Sequence, residues 1–222
     1  MHFNLIDNPV WVFLTKCVDL FIICLLWILF SLPVVTIGAS TAALYHSVHK
    51  TILNSEGYPS KTFWHSFRTN WKQGIILTLL CLLPAAFCWT SWQFADRLGE
   101  GHPVGLVYRT AAILAAVLTF STLLYLFPLL SRFYMSTKEL IRASFALAII
   151  RAGFTLLLDL VIAVCILGIY LVPAAIFILP GLGAMAAERL VEPAIRKAMD
   201  ASEAAKKENS PEEESEDEPP EE

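Results

Sequence analysis

Four apolar stretches, each at least 20 residues long, constrain this sequence more than any other feature. They cover roughly residues 18–37, 74–95, 104–130 and 153–187. A helix of about 20 apolar residues is long enough to cross the roughly 30 Å hydrocarbon core of a bilayer. Only 16% of the chain is charged, whereas about 25% is usual for a soluble protein. The sequence therefore predicts an all-α, polytopic membrane helix bundle.

The fourth stretch is too long for one straight crossing. As a single helix its 35 residues would extend about 52 Å. Pro173 and Pro180 interrupt it, and each proline removes a backbone hydrogen-bond donor. Two readings remain open: one span followed by an interfacial helix, or two short spans of about 17 residues each.

Basic residues in the connections predict the orientation, because Lys and Arg collect on the cytoplasmic side. The 39–73 segment carries four basic residues against one acidic residue, and so does the 131–152 segment. Both segments are predicted to be cytoplasmic, which places the N-terminus outside. Arg189, Arg196 and Lys197 favour a cytoplasmic C-terminus, which requires an odd number of crossings. We therefore prefer five spans to four, with cytoplasmic interfacial helices between them.

The C-terminal end differs in composition from the rest of the chain. Residues 201–222 contain ten acidic residues against Lys206 and Lys207. Such a segment cannot bury enough apolar surface to offset the entropy lost on folding. We predict a membrane helical domain over residues 1–190 and a disordered, acidic cytoplasmic tail over residues 191–222.

Small and hydroxyl-bearing residues follow the first apolar stretch. Pro33 predicts the end or a kink of the first helix, and Thr36 can satisfy backbone groups that are freed there. Gly38 and Ala39 allow another helix to approach closely. A single glycine without a neighbouring lysine is a poor match to a phosphate-binding loop. We therefore interpret these four residues as a helix-break and packing motif that leads into a cytoplasmic interfacial helix.

Several short motifs resemble those of one known family. They are Asn8-Pro9, Leu26-Trp27, Pro-x-x-Thr-Ile-Gly-Ala at 33–39, Phe63, Ser66-Phe67 and Phe127-Pro128. In this combination the chain resembles the YesL-like family of bacterial integral membrane proteins over about residues 5–190. The resemblance implies a multi-pass inner-membrane protein of undefined biochemical function, from a family often encoded beside carbohydrate uptake systems of the ABC type. It supplies no catalytic residues.

Asp159 is the most informative single residue. A carboxylate inside an apolar stretch is costly, and it usually faces the interior of a helix bundle or a wet cavity. Thr78, Ser121, Thr122 and Tyr125 fall at a similar predicted depth and could hydrogen-bond to it. Two readings stay open: a polar layer for a translocated solute or proton, and a buried structural residue.

The sequence shows no pattern typical of an enzyme or of a metal site. The five cysteines lie in or beside apolar stretches without zinc-site spacing. His46 and His49 are three residues apart but lack a carboxylate in register, so we predict no metal, no cofactor and no catalytic residue. We expect the lipid bilayer, and no nucleic acid, as a partner. The leading hypothesis is an accessory component that associates with permease subunits of carbohydrate ABC-type uptake. A small solute transporter is the alternative.

Overall fold

The computed structural model describes residues 9–98, 103–133 and 135–208. Within these residues the chain forms α-helices and no strand, so the predicted all-α class is confirmed. The helices are α1 Pro9–Ser31, α2 Ile37–Ser47, α3 Pro59–Arg97, α4 Pro103–Arg132, α5 Thr137–Ile150, α6 Ala152–Leu171 and α7 Leu179–Glu208. Three short segments interrupt them: 3-10 turns at Val34–Thr36 and Pro173–Phe177, and a π-helical segment at Val48–Leu53.

Four of these helices, α1, α3, α4 and α6, are long and apolar enough to cross a membrane. They correspond to the four apolar stretches of the sequence, but their bounds differ. The first helix begins at Pro9 and ends at Ser31, two residues before Pro33. The second, α3, is 39 residues long because its polar first half, which carries Lys61 and Lys72, is continuous with the apolar half.

The fourth apolar stretch does not form two crossings of equal length. After α6 the backbone becomes extended at Val172 (φ −131°, ψ 92°), where the following proline disfavours helix. The next helix, α7, turns back along α6, since Leu179 packs over Gly168 and Ile162 over Gly183. Only nine residues of α7 precede Glu188, or about 13 Å of helix. The preference for five spans is therefore not confirmed, and the orientation of the termini stays a prediction.

Helix α2 is the most deeply packed part of the molecule, which corrects its interpretation as an interfacial helix. Eight of its eleven residues are buried, whereas a helix lying on a membrane surface keeps one face in water. Its alanines and Gly38 carry so little bulk that other helices approach it from several sides. The sequence analysis identified the small residues, but it did not predict that α2 would lie inside the bundle.

Helices α1 and α2 form an antiparallel hairpin. The Ser31 and Ser40 hydroxyl groups are 2.6 Å apart, close to the turn. Further along, Trp27 Nε1 donates a hydrogen bond of 3.2 Å to Thr41 Oγ1. The π-helical segment prolongs the hairpin back towards the start of α1. Residues 46–53 are thereby brought beside the end of α4 and beside Glu188 and Glu192 of α7.

Helix α7 crosses the predicted domain boundary at residue 190 without a break. It runs from Leu179 to Glu208, so residues 191–208 of the predicted tail are helical. Val191, one residue beyond the boundary, is 1% exposed, and its burial ties this part of α7 to the bundle. The most acidic part of the predicted tail, residues 209–222, lies outside the described residues.

Candidate functional site

Four ionisable side chains meet where α4, α7 and the π-helical segment come together. Arg132 is the last residue of α4, His49 lies in the π-helical segment, and Glu188 and Glu192 lie one turn apart on α7. Nη2 of Arg132 donates to Glu188 Oε2 and to Glu192 Oε2 at 2.9 Å, and it lies 2.8 Å from His49 Nδ1. We call these four residues the Arg132 cluster.

Glu188 and Arg132 are shielded from water, so the charge of each is stabilised mainly by the other. The Glu188 side chain is 0% exposed and that of Arg132 is 14% exposed. An ionised carboxylate in such a place requires a cationic partner, because water no longer solvates it. Oε1 of Glu188 and Nε of Arg132 are buried without a hydrogen-bond partner among the described residues. The pair is therefore held mainly through one carboxylate oxygen and one guanidinium nitrogen.

Glu192 lies at the more exposed side of the Arg132 cluster. The hydrogen bond from Arg132 is the main cause that lowers the pKa of this carboxyl below its usual value. A carboxyl whose pKa is lowered by folding stabilises the folded state above the pKa that it has in the unfolded chain. Its contribution is lost as the pH falls through the lowered pKa of the folded state.

Three members of the Arg132 cluster have the chemistry of metal ligands. His49, Glu188 and Glu192 offer ligand atoms that all lie within 4.8 Å of one another. Arg132 Nη2, however, contacts all three groups. Its guanidinium takes the position that a cation would need, and it pairs with both carboxylates from within the chain. The arrangement thus favours an internal ion-pair network over a metal centre.

A polar cavity of about 380 Å³ opens beside the Arg132 cluster. It lies between the end of α2, the polar half of α3 and the end of α4. We call it the histidine cavity, and its ionisable and hydroxyl-bearing wall includes His46, His49, Lys50, His65, Thr69 and Arg132. Arg132 therefore belongs both to the ion-pair network and to the wall of this cavity.

The tautomer of His46 follows from its contact with the end of α4. His46 Nδ1 lies 3.0 Å from the carbonyl oxygen of Ser131. A carbonyl can only accept, so Nδ1 carries the proton and donates. Burial is the main cause that lowers the pKa of His46, which favours the neutral imidazole with a free lone pair on Nε2. One of the carbonyl groups that a helix leaves unpaired at its C-terminus is satisfied in this way.

The polar layer predicted around Asp159 is formed only in part. Ser121 Oγ donates a hydrogen bond of 2.7 Å to Asp159 Oδ2. The Tyr125 hydroxyl lies 3.0 Å from Thr155 Oγ1, about one turn before Asp159 on α6. Oδ1 of Asp159 is buried without a hydrogen-bond partner among the described residues. Two of the four predicted neighbours, Ser121 and Tyr125, therefore lie on the α4–α6 contact, and one of them binds Asp159.

The other two predicted neighbours make different contacts. Thr122 Oγ1 donates to the Leu118 carbonyl of its own helix at 2.7 Å. Thr78 Oγ1 donates to the Gly74 carbonyl at 2.8 Å and accepts a hydrogen bond of 3.0 Å from the backbone N–H of Gly38. Thr78 thus serves the contact between α2 and α3. Thr78 and Thr122 were predicted to lie at a depth similar to that of Asp159. Their hydroxyl groups nevertheless donate to carbonyls of their own helices and not to Asp159.

The motif at residues 33–39 lies at the turn between α1 and α2. Thr36 Oγ1 donates to the carbonyl groups of Phe30 at 2.7 Å and of Pro33 at 2.8 Å. The bond to Phe30 satisfies a carbonyl that the end of α1 leaves without a helical partner. Gly38 and Ala39 lie in the first turn of α2, and Ala39 lies directly against Gly74 of α3.

Sequence reasoning missed the Arg132 cluster. It assigned Arg132 to the basic connections that orient the chain, and it treated Ala187 as the last residue of the fourth apolar stretch. The available signal was Glu188, a carboxylate that directly follows the apolar residues 184–187. An acidic side chain at the edge of an apolar run is a candidate for a buried ion pair.

Two comparisons with known proteins give related results. Residues 20–92 match the model of a family described as a protein of unknown function, DUF624. The uncharacterised protein YesL of Bacillus subtilis (strain 168) is 29% identical over 137 residues. The predicted resemblance to the YesL-like family is confirmed. This alignment covers 60% of the present chain and 63% of the relative, which is less than two thirds of its length. No solved structure matches this chain.

The match to the family model includes one part of the candidate site and leaves out another. The family model covers the second half of α1, all of α2 and most of α3. It therefore includes the His46, His49 and Lys50 side of the histidine cavity. Arg132, Glu188 and Asp159 lie beyond it. The apolar helices and the uncharacterised relative together support a helical membrane protein that is similar to YesL.

Proposed function

We propose that this chain is a multi-pass protein of the bacterial cytoplasmic membrane that assists carbohydrate ABC-type uptake by binding permease subunits, without catalysing a reaction. The observation that carries the proposal is the low burial of the candidate spans. Only 17% of the apolar window is buried in α1 and in α3, and only 11% in α6. Their remaining surface is available for lipid or for helices of another protein. The YesL-like resemblance supplies the class of partner.

Helix α6 presents the clearest surface for a partner helix. Leu156, Leu160, Val164 and Leu167 are each at least 56% exposed, and their spacing places them along one face of the helix. Gly153, one turn earlier, has no heavy atom of another group within 4 Å of where a Cβ would lie. A small residue beside an exposed aliphatic stripe is typical of helix contacts in membranes.

Copurification tests this proposal directly. The protein is isolated from native membranes in mild detergent, and associated permease subunits are identified by mass spectrometry. We expect Leu160→Trp on α6 to reduce the recovery of those subunits, because the larger ring disturbs close helix packing. Leu106→Trp on α4 is the matched control, since Leu106 is also highly exposed, at 68%. Recovery of the wild-type protein without any permease subunit would count against the proposal.

A small solute transporter is the second candidate, and the contact between Asp159 and Ser121 is the observation that favours it. A buried carboxyl oxygen without a partner, within an apolar helix, is typical of a proton or solute path. This candidate predicts saturable solute flux into proteoliposomes that contain the purified protein.

Asp159→Asn distinguishes the two candidates. We expect this variant to change the free energy of unfolding by less than about 1 kcal/mol, because the amide oxygen still accepts the hydrogen bond from Ser121. We also expect it to copurify with permease subunits as the wild type does. Unfolding is measured by thermal melts of the detergent-solubilised protein. Ser121→Ala is the control for loss of the hydrogen bond alone. Wild-type flux that is abolished in a normally folded Asp159→Asn protein would instead favour the transporter.

A further inference from the structure

The histidine cavity contains donors that the chain itself does not use. The Lys50 ammonium and the His65 imidazole make no hydrogen bond or ion pair with any described residue. Both side chains are exposed, and both line the cavity. By contrast, the His46 and Arg132 side chains that share the wall are engaged by groups of the protein. The free donors therefore lie on the side of the cavity that is open to a ligand.

The charges around the histidine cavity are unequal. No carboxylate is part of its wall among the described residues. Glu188 and Glu192 lie beside the wall, and both pair with Arg132. Glu56 is also close in the chain, and its backbone N–H donates to the Lys50 carbonyl at 2.9 Å, but the Lys50 ammonium forms no ion pair with any described residue.

The donors reach the histidine cavity from different directions. Lys50 comes from the π-helical segment and His65 from α3. Thr69 and Asn70 also line the cavity, but they already donate within α3, to the His65 carbonyl at 2.9 Å and to Ser66 Oγ at 3.4 Å. A planar carboxylate is satisfied by donors in one plane, whereas a tetrahedral phosphate accepts hydrogen bonds on several sides. The volume of about 380 Å³ lies within the range of small-molecule sites.

We propose that the histidine cavity binds a phosphate group, with Lys50 as its main charged contact and His65 as a further hydrogen-bond donor. The phosphate can belong to a small phosphorylated solute or to a lipid headgroup. Both sources fit the position of the cavity, at the polar end of α3 where the basic connections predict the cytoplasmic side. The site is separate from the exposed face of α6, so the proposal goes beyond partner binding and does not depend on it.

Binding measurements on the full chain test the phosphate site. In one arm, the protein in a neutral detergent without phosphate buffer is titrated calorimetrically with inorganic phosphate and with glucose 6-phosphate. In the other arm, nanodiscs of phosphatidylglycerol are compared with nanodiscs of phosphatidylcholine, and bound lipid is measured by native mass spectrometry. We expect saturable binding in at least one arm. The arm that shows it identifies the source of the phosphate.

Matched lysine variants assign the binding to the cavity. We expect Lys50→Gln to weaken phosphate binding by about tenfold, the usual effect of losing one charge-assisted hydrogen bond. Lys72→Gln removes the same charge from the exposed, polar half of α3 but lies outside the cavity wall, and we expect a change below about twofold. Gel filtration and thermal melts verify that each variant is folded.

Two results would overturn the proposal. One is the absence of saturable binding by the wild-type protein to all of the phosphate probes. The other is an equal loss for Lys50→Gln and Lys72→Gln, which would show general electrostatic attraction in place of a site. Phosphate binding is measured without permease subunits, so a failure to copurify those subunits would not affect this test. The phosphate proposal and the permease proposal can therefore be rejected separately.

Discussion

Arg132→Met is expected to lower the free energy of unfolding by about 3–5 kcal/mol, because it leaves a buried carboxylate without its cation. Glu188 is fully buried, and Arg132 is the strongest base that contacts it. Without the guanidinium, the carboxyl group must either stay charged in a poorly solvated place or take up a proton, and both outcomes cost free energy. Equilibrium unfolding in mixed detergent micelles measures the change.

A double variant separates the loss of the ion pair from the loss of side-chain packing. We expect Arg132→Met combined with Glu188→Met to recover most of the stability, since replacing both partners by apolar groups leaves no buried charge. Arg142→Met on α5 is the control, because Arg142 is exposed, and its effect should stay below about 0.5 kcal/mol. Equal destabilisation by Arg132→Met and Arg142→Met would show that the Arg132 cluster does not hold α7.

Gly74→Val is expected to destabilise the protein by about 3 kcal/mol, at the upper end of the usual range for overpacking. A Cβ atom at Gly74 would lie 2.6 Å from both the Cα and the backbone nitrogen of Ala39. Backbone atoms cannot rotate away as a flexible side chain can, so α2 and α3 would have to separate. Thermal unfolding of the purified variant, followed by circular dichroism, measures the loss.

Gly153→Ala is the matched control for Gly74→Val. Gly153 is also helical, but no heavy atom lies within 4 Å of its added Cβ. We expect this variant to be neutral or to stabilise the protein by up to about 1 kcal/mol, since alanine favours helix over glycine. From the other side of the contact, a Cβ at Gly38 would lie 2.6 Å from the Gly74 carbonyl oxygen. Changes at positions 38 and 74 should therefore be less than additive.

Arg132 connects two parts of the candidate site, and this affects which variants are informative. It forms the ion pair with Glu188 and also lines the histidine cavity. Its replacement would change stability and ligand binding together. Lys50 forms no ion pair with a residue that the structure describes, so its replacement reports on the cavity alone. The phosphate test therefore relies on Lys50 and leaves Arg132 intact.

The sequence predicted the helical spans well because their signal is local. A run of about 20 apolar residues is expected to be helical in a membrane, because only a helix satisfies every backbone hydrogen-bonding group within the segment. The effect of proline on a helix is also local. Helix α1 ends two residues before Pro33, and α6 ends two residues before Pro173. The neighbours of Asp159 were harder to predict, because the depth of a residue in the membrane does not specify which face of a neighbouring helix carries a hydroxyl group.

The sequence by itself thus determined the helical class, the four long apolar helices and the small-residue character of α2. Only the tertiary structure decided that α2 is buried within the bundle and that α7 turns back along α6. It alone brought Arg132 to His49 and Glu188, which are 83 and 56 residues away along the chain. The physical reason is that hydropathy and helix breaks act over a few residues. A buried ion pair, by contrast, depends on how separate helices cross, and no single stretch of sequence contains that information.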